Sequence, residues 1–269
     1  MDKNINLNSP FCVLISCMYQ DKDIINRSNV RANVVVINQC DEESKEAFVF
    51  TDATGKNHQA LFINTKERGL SRSRNMAVNN SLGDICLLCD DDELLENDVE
   101  RIITDSYTMH PECGVISFAL KWNGQDVSYP GVKAKMGLMR IQRTSSLQIS
   151  FRRSRLIEKG ICFDEKMGSG TGNGGGEENK LLNDCRCKGI EMIYVPQVIA
   201  TILPGESKWF STRDEKWFEN LGWTNTRIHG YCWGLVYIWY WLTTHFRLKR
   251  EVGIFNALKS YYKGMFSKR

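Results

Sequence analysis

Several features are scarce in this chain, and each scarcity removes a class of function. Histidine occurs only four times in 269 residues, at His58, His110, His229 and His245, too far apart to form a ligand pattern, so no chemistry is assigned to them. Charge of one sign is not in excess either. Lys and Arg total 35 against 32 acids, a formal +3, which gives no global reason to expect nucleic acid as a partner. The first ten residues hold no apolar run, so no secretory leader is expected and the cytoplasm is the default location. The apolar stretch 231–242 is shorter than the ~20 residues of a simple spanning helix. No internal repeat or low-complexity linker interrupts the chain.

What is present suits a packed core. Apolar residues make up 42% of the sequence, ordinary for one large α/β domain or two small ones. Ten cysteines, Cys12, Cys17, Cys86, Cys89 and Cys113 among them, are scattered through apolar segments and read as reduced, mostly buried thiols. Cys86 and Cys89 have the spacing of half a zinc site, but they fall in an expected strand without a second pair.

Short β-rich runs at 11–17, 33–38, 60–64, 84–89 and 114–120 alternate with helical patterns at 21–30, 71–80 and 97–110, which argues an α/β sheet flanked by helices. Ser71 is the expected N-cap of the second helix, with Gly83 soon after its end. After residue 120 the pattern loosens, then gives a run at 147–151, a short helix at 152–159, a glycine loop at 168–176, a helix at 177–188 and a strand at 192–195 ending at Pro196. We divide the chain into a domain over 1–205, with a donor half at about 10–120 and an acceptor half at about 121–205, and a C-terminal aromatic helical extension over 206–269.

Two acidic constellations carry the chemistry. Asp90-Asp91-Asp92 begin where an apolar strand ends, the place where open α/β sheets put their ligands. Three adjacent carboxylates repel one another, and a hard divalent cation relieves that repulsion while bridging to phosphate oxygens. Alone, the triplet also fits kinases, phosphatases and nucleotidyltransferases, or a helix cap built by Asp92 or Asn97. The second constellation is Glu177-Glu178, which opens a helix after six glycines between Gly168 and Gly176. A carboxylate there can act as a general base on an acceptor hydroxyl while a metal at the triplet stabilises a diphosphate leaving group. Gly170, Gly172 and Gly175 also match a dinucleotide-binding pattern, but 163–167 is not an apolar strand.

At this point the motifs resemble glycosyltransferase family 2, an inverting family of GT-A fold. The resemblance runs over roughly 11–200 through Val13-Leu-Ile-Ser-Cys17, Gly69-Leu-Ser-Arg-Ser-Arg-Asn75, Leu88-Cys-Asp-Asp-Asp92, Phe163-Asp-Glu-Lys-Met-Gly168 and Gly176-Glu-Glu-Asn179. It implies a metal-dependent transfer of a sugar from a nucleotide-sugar donor to an acceptor hydroxyl, in polysaccharide or glycolipid assembly. Asp90 and Asp92 resemble the two acids of the DxD motif, with Asp92 the direct Mn or Mg ligand and Asp90 or Asp91 nearer the nucleotide. Glu178 stands where the family places its base and Glu177 where the acceptor is positioned, a pair whose roles can be exchanged. Arg72, Arg74 and Asn75 resemble the donor-side Arg-Asn segment, where a guanidinium contacts diphosphate or nucleobase. The family's nucleobase-reading Asp is replaced after 34–37 by Asn38-Gln-Cys-Asp41, so either Asp41 or Asn38 can serve.

Tyr231 to Leu242 are strongly aromatic, and Arg247, Lys249 and Arg250 follow. This pattern fits an interfacial helix at 231–250 on the inner face of a membrane, with a lipid-linked glycan acceptor, and equally a helix packed on the domain or in a dimer. From another functional class, the chain also fits a non-catalytic nucleotide-sugar-binding or scaffold subunit of a glycan assembly complex.

Overall fold

A computed structural model describes residues 10–126, 129–203, 214–244 and 252–269. Its first half runs β1 (Phe11–Met18), α1 (Ile24–Arg27), β2 (Asn33–Gln39), β3 (Ser44–Thr51), β4 (Asn57–Thr65), α2 (Leu70–Asn79), β5 (Ile85–Cys89), β6 (Glu93–Leu95), α3 (Val99–Met109) and β7 (Cys113–Trp122). The chain continues with β8 (Gln125–Asp126), β9 (Ala134–Lys135), α4 (Leu138–Ile141), β10 (Ile149–Arg152), α5 (Arg153–Glu158), α6 (Glu177–Cys187) and β11 (Glu191–Ile202). Three further described helices follow: α7 (Glu215–His229), α8 (Tyr231–Thr244) and α9 (Ile254–Met265).

The strands form one sheet in the order β3-β4-β2-β1-β5-β10-β7-β11-β6, with β8 on β7 and β9 on β11. β4, β2, β1 and β5 are parallel, and the chain moves to the other side of β1 when it enters β5. That reversal opens a crevice at the carboxyl ends of the strands. β1 and β2 are buried on both faces, which is why they read as continuous apolar runs. Alternate residues feed two cores. Val13, Ile15 and Leu87 pack with α1 and α3 on one face, and Leu14, Val35 and Leu88 pack with α2, α5 and α6 on the other.

Local physics moved several boundaries from where the sequence put them. The helix expected over 21–30 is reduced to α1, because Asn29 enters the left-handed region at φ 52° and turns the chain into β2. Ser71 lies inside α2, not at its cap. Gly69, at φ 122°, precedes the helix, and the Ser71 hydroxyl instead donates to the Met167 carbonyl at 2.8 Å. The last strand does not stop at Pro196. β11 continues to Ile202 through a register shift between Tyr194 and Val198, where a residue lacking an N–H is tolerated. β3 escaped notice because it is an edge strand whose residues are mostly exposed, so no apolar periodicity marks it.

The three C-terminal helices have a core of their own, built from Phe218, Ile238, Ala257, Tyr261 and Met265. α7 and α9 cross with backbones nearly touching: a methyl group at Gly222 would overlap the Tyr261 carbonyl, and one at Gly264 the Glu219 carbonyl. In an open helix Gly→Ala is favourable by about 1 kcal/mol; here the overlap reverses the sign. Gly264→Ala is expected to destabilise the helical unit by about 1–3 kcal/mol, the usual cost of overpacking. A thermal melt that is unchanged or raised would show that α7 and α9 do not pack in this way.

Candidate active site

The acidic triplet lies where β5 ends. Asp90 is the first residue past the strand, its N–H donating to Glu93 Oε2 at 3.0 Å, and Asp91 and Asp92 are exposed in the turn leading to β6. The Leu203 N–H donates to the Asp92 carbonyl at 2.9 Å, which ties this turn to the end of β11.

Arg74, on α2, reaches beneath the triplet. Only 2% exposed, it donates from Nη2 to both Asp90 oxygens at 3.1 and 3.2 Å and from Nη1 to Glu177 Oε1 at 2.9 Å. One guanidinium therefore bridges the carboxylate at the end of β5 and the first carboxylate of α6. Burial alone would weaken the hold of Arg74 on its proton, but Asp90 and Glu177 outweigh burial and raise its pKa.

The glycine loop makes this approach possible. Gly168, Gly170, Gly172, Gly174 and Gly176 all have positive φ, a run that side-chain-bearing residues would not accept. No strand precedes the loop, which removes the context a dinucleotide fingerprint needs. The loop backbone lies against the buried Glu177 carboxylate, whose Oε2 has no hydrogen-bond partner, and a methyl group at Gly168 would come within 3.3 Å of that oxygen.

The carboxylates differ in environment. Glu178 is half-buried, and its pKa is raised by burial first and by the Glu177 charge second, with Arg74 opposing. Asp92 is raised by desolvation, then by Asp90 and Asp91. Glu93, fully buried beside the triplet, is raised well above the carboxylate range by the same burial and by Asp90.

The other sequence-named residues fall in two places. Asn75, next to Arg74, exchanges hydrogen bonds with the backbone of Phe163 at 2.9 Å in both directions, and Arg72 forms an exposed pair with Glu165 at 3.5 Å. Both brace α2 against the segment before the glycine loop. Asp41 borders a cleft of about 480 Å³ at the ends of β1, β2 and β4, together with Tyr19, Lys22, Asn38, Phe62 and Asn64. Asp41 accepts from Arg68 Nη2 at 2.6 Å and from the Tyr19 hydroxyl at 3.2 Å. Asn38 is occupied inside the protein, donating to the Gln20 carbonyl and Asn64 Oδ1, both at 2.8 Å, and accepting from the Gln20 N–H at 2.9 Å.

Sequence reasoning missed several participants. Gln20 donates to Asp91 Oδ2 at 3.2 Å, Ser146 approaches Asp90 Oδ2 at 3.5 Å, and Tyr19 holds a left-handed backbone at φ 50° beside Asp41. Only Arg68, one residue before the Gly69 motif, carried a signal: a cation adjoining a recognised segment. Among the described residues no preassembled set of three His, Cys, Asp or Glu ligands surrounds a metal position. Asp91 and Asp92 nevertheless offer hard oxygens, and the repulsion acting on Asp92 is what a divalent cation relieves. The donor set fits a hard divalent cation such as Mg or Mn, which these carboxylates would hold.

Truncating Arg74 leaves two carboxylates facing each other without a counter-charge. Arg74→Met is expected to destabilise the protein by about 3–5 kcal/mol in urea unfolding, the range for breaking a buried pair from one side. A loss below ~1 kcal/mol, typical of exposed pairs, would mean that this bridge does not hold the site.

A scan of the sequence against protein-family models finds no match, and a search of curated proteins finds none. Solved structures do match. The structure of S. aureus TarS residues 1–349 superposes with a TM-score of 0.62 at 16% identity, covering 96% of this chain and 81% of that one. The same TarS segment in complex with UDP-GlcNAc gives 0.61 at 16% identity over 96% and 82%. A longer TarS structure gives 0.57 at 14% identity over 92% of this chain and 45% of that one. At such identity the likeness is one of fold: the mixed α/β sheet with its flanking helices is a GT-A-like glycosyltransferase fold, as the sequence motifs led us to expect.

Proposed function

We propose that the protein is a metal-dependent inverting glycosyltransferase that moves a sugar from a nucleoside diphosphate donor to an acceptor hydroxyl. The observation that carries this reading is the Arg74 bridge, which joins the acidic turn after β5 to the acidic start of α6 in one place. It fits the two parts such chemistry requires, a site for a diphosphate and a base for the acceptor. TarS, bound to UDP-GlcNAc in one of its structures, shares the fold and supports a nucleotide sugar as donor.

The residues divide the work by environment. Glu177 spends one oxygen on Arg74 and buries the other, unpartnered, against the glycine loop, so it positions the acceptor indirectly, by fixing Arg74 and by setting its charge beside Glu178. Glu178, with a raised pKa, is the better proton acceptor and takes the hydroxyl proton. The acceptor oxygen bonds to the anomeric carbon as the bond from that carbon to the diphosphate oxygen breaks, and the nucleoside diphosphate leaves with the electron pair. Attack opposite to the leaving group inverts the configuration. Asp92, with Asp90 or Asp91, would hold Mg or Mn, which when bound supplies positive charge to the leaving diphosphate. Asp41, oriented by Arg68 and Tyr19, is our candidate to accept from a nucleobase N–H.

Glu178→Gln is expected to lower turnover about 10²–10⁴-fold, the usual contribution of a general base, while donor affinity stays unchanged. Full activity in this variant would remove Glu178 from the role. Because burial and Glu177 both raise Glu178, the rate should climb with pH through a limb above the ordinary carboxylate range. Glu177→Gln removes one of those negative charges, so its limb moves to lower pH; a limb that stays in place or moves upward would contradict the assignment.

Donor identity is accessible through thermal shift against nucleoside diphosphates and their sugars, with Mn²⁺, Mg²⁺ or chelator. Metal-dependent stabilisation by one nucleotide class, lost in Asp92→Ala, is the expected result. No response to any nucleotide would favour a scaffold subunit over a transferase.

A further inference from the structure

We propose that the outer face of α8 and α9 is a seat for the headgroups of an anionic lipid surface. α8 has no charged residue in its fourteen positions, yet among its described side chains those that are buried form one narrow strip. Gly234 and Ile238 turn inward, where the Tyr261 hydroxyl donates to the Gly234 carbonyl at 2.8 Å. Tyr231, Trp233, Val236, Trp239 and Tyr240 spread over the remaining circumference, each more than 40% exposed. A helix that is apolar all round belongs in a core, in a bilayer or against a partner. Among the described residues no helix is long and apolar enough to cross a membrane.

α9 extends this surface and supplies its charge. Phe255, Lys259, Tyr262 and Phe266 follow at intervals of four, three and four and share one stripe, opposite the buried Ala257, Ser260, Tyr261 and Gly264. Phe255 is 78% exposed, and the Tyr231 ring of α8 stacks on Phe266 at 5.6 Å between centroids, so the two helices present one continuous face. Neither helix contains an Asp or Glu. Lys259 lies within the aromatic stripe and Lys268 just past its end, while Lys263 and Arg269 pair with Glu219 of α7 at the rim. Arg247, Lys249 and Arg250, which follow α8 in the sequence, lie outside the described residues.

Aromatic rings interspersed with lysines and without carboxylates match the boundary of an anionic bilayer. A second copy of this chain fits less well, because a two-fold contact would bring one cationic face against its own equal. The seat is braced on the candidate active site: Arg227 of α7 donates to Asp164 at 2.9 Å, Asn183 of α6 donates to the Ile228 carbonyl at 2.7 Å, and Thr224 and Ile228 pack against Gly176. A lipid-linked acceptor would thus meet α6 from the surface on which α8 and α9 rest. That consequence depends on the proposed glycosyl transfer; the lipid seat itself does not.

The full chain, co-sedimented with phosphatidylcholine vesicles with and without phosphatidylglycerol, is expected to bind the anionic vesicles at least about tenfold better, less so at high salt. Trp239→Glu and Phe255→Glu, both at exposed positions, should abolish binding with an unchanged melting temperature, and Lys259→Glu should remove the preference for phosphatidylglycerol. Equal sedimentation with and without vesicles, or wild-type binding by all three variants, would overturn the proposal. So would a concentration-dependent dimer in sedimentation velocity that Trp239→Glu dissociates, which would assign the face to a second copy. Nucleotide-induced thermal shift without vesicles separates the two readings: its absence alongside intact vesicle binding would sink glycosyl transfer and leave the lipid seat standing.

Discussion

The Arg74 guanidinium, withdrawn from water and shared between two carboxylates, is the interaction on which the geometry of the candidate site depends. A buried cation is costly unless it is paired, and a buried carboxylate equally so. Each of the three groups therefore needs the other two. Asp90 comes from the end of a central strand, Glu177 from the first turn of α6 and Arg74 from α2, so satisfying these charges fixes how three elements meet. The same arrangement buries Glu177 Oε2 against the glycine loop without a hydrogen-bond partner and sets the Glu177 charge beside Glu178, whose pKa it raises.

The glycine loop answers a steric demand created by that arrangement. One Glu177 oxygen takes the Arg74 guanidinium and the other is covered closely by backbone, and five positive-φ glycines let the chain double back over it. On the loop's other side Gly174 and Gly176 meet Asn220, Thr224 and Ile228 of α7. The loop is thus a spacer between the candidate site and the C-terminal helices.

Much of the fold was legible because central parallel strands must be apolar on both faces. β1, β2, β5 and β7 announce themselves as unbroken runs, and α6 begins where the glycines end. β3 was not legible, being exposed at the sheet edge, and neither were the bulge that carries β11 past Pro196 nor the short α1, because each depends on neighbouring strands and not on local pattern. In the site, the acidic residues were visible as clusters. Their partners were not: a lone Gln20 or Ser146 has no composition or spacing that distinguishes it from other polar residues.

The sequence by itself determined the α/β alternation, the carboxylates at the end of an apolar strand, the glycine-rich approach to Glu177 and Glu178, and an aromatic tail too short to span a bilayer, since each is written in local periodicity or composition. Only the tertiary structure decided that Arg74 turns inward to bridge Asp90 and Glu177, that Asn38 is hydrogen-bonded inside the fold while Asp41 is exposed at the cleft, and that Trp233, Trp239 and Tyr240 of α8 face outward. The physical reason is the same in all three cases. Where a polar or aromatic side chain points depends on which partner comes within a few ångströms of it, and those partners arrive from distant segments of the chain.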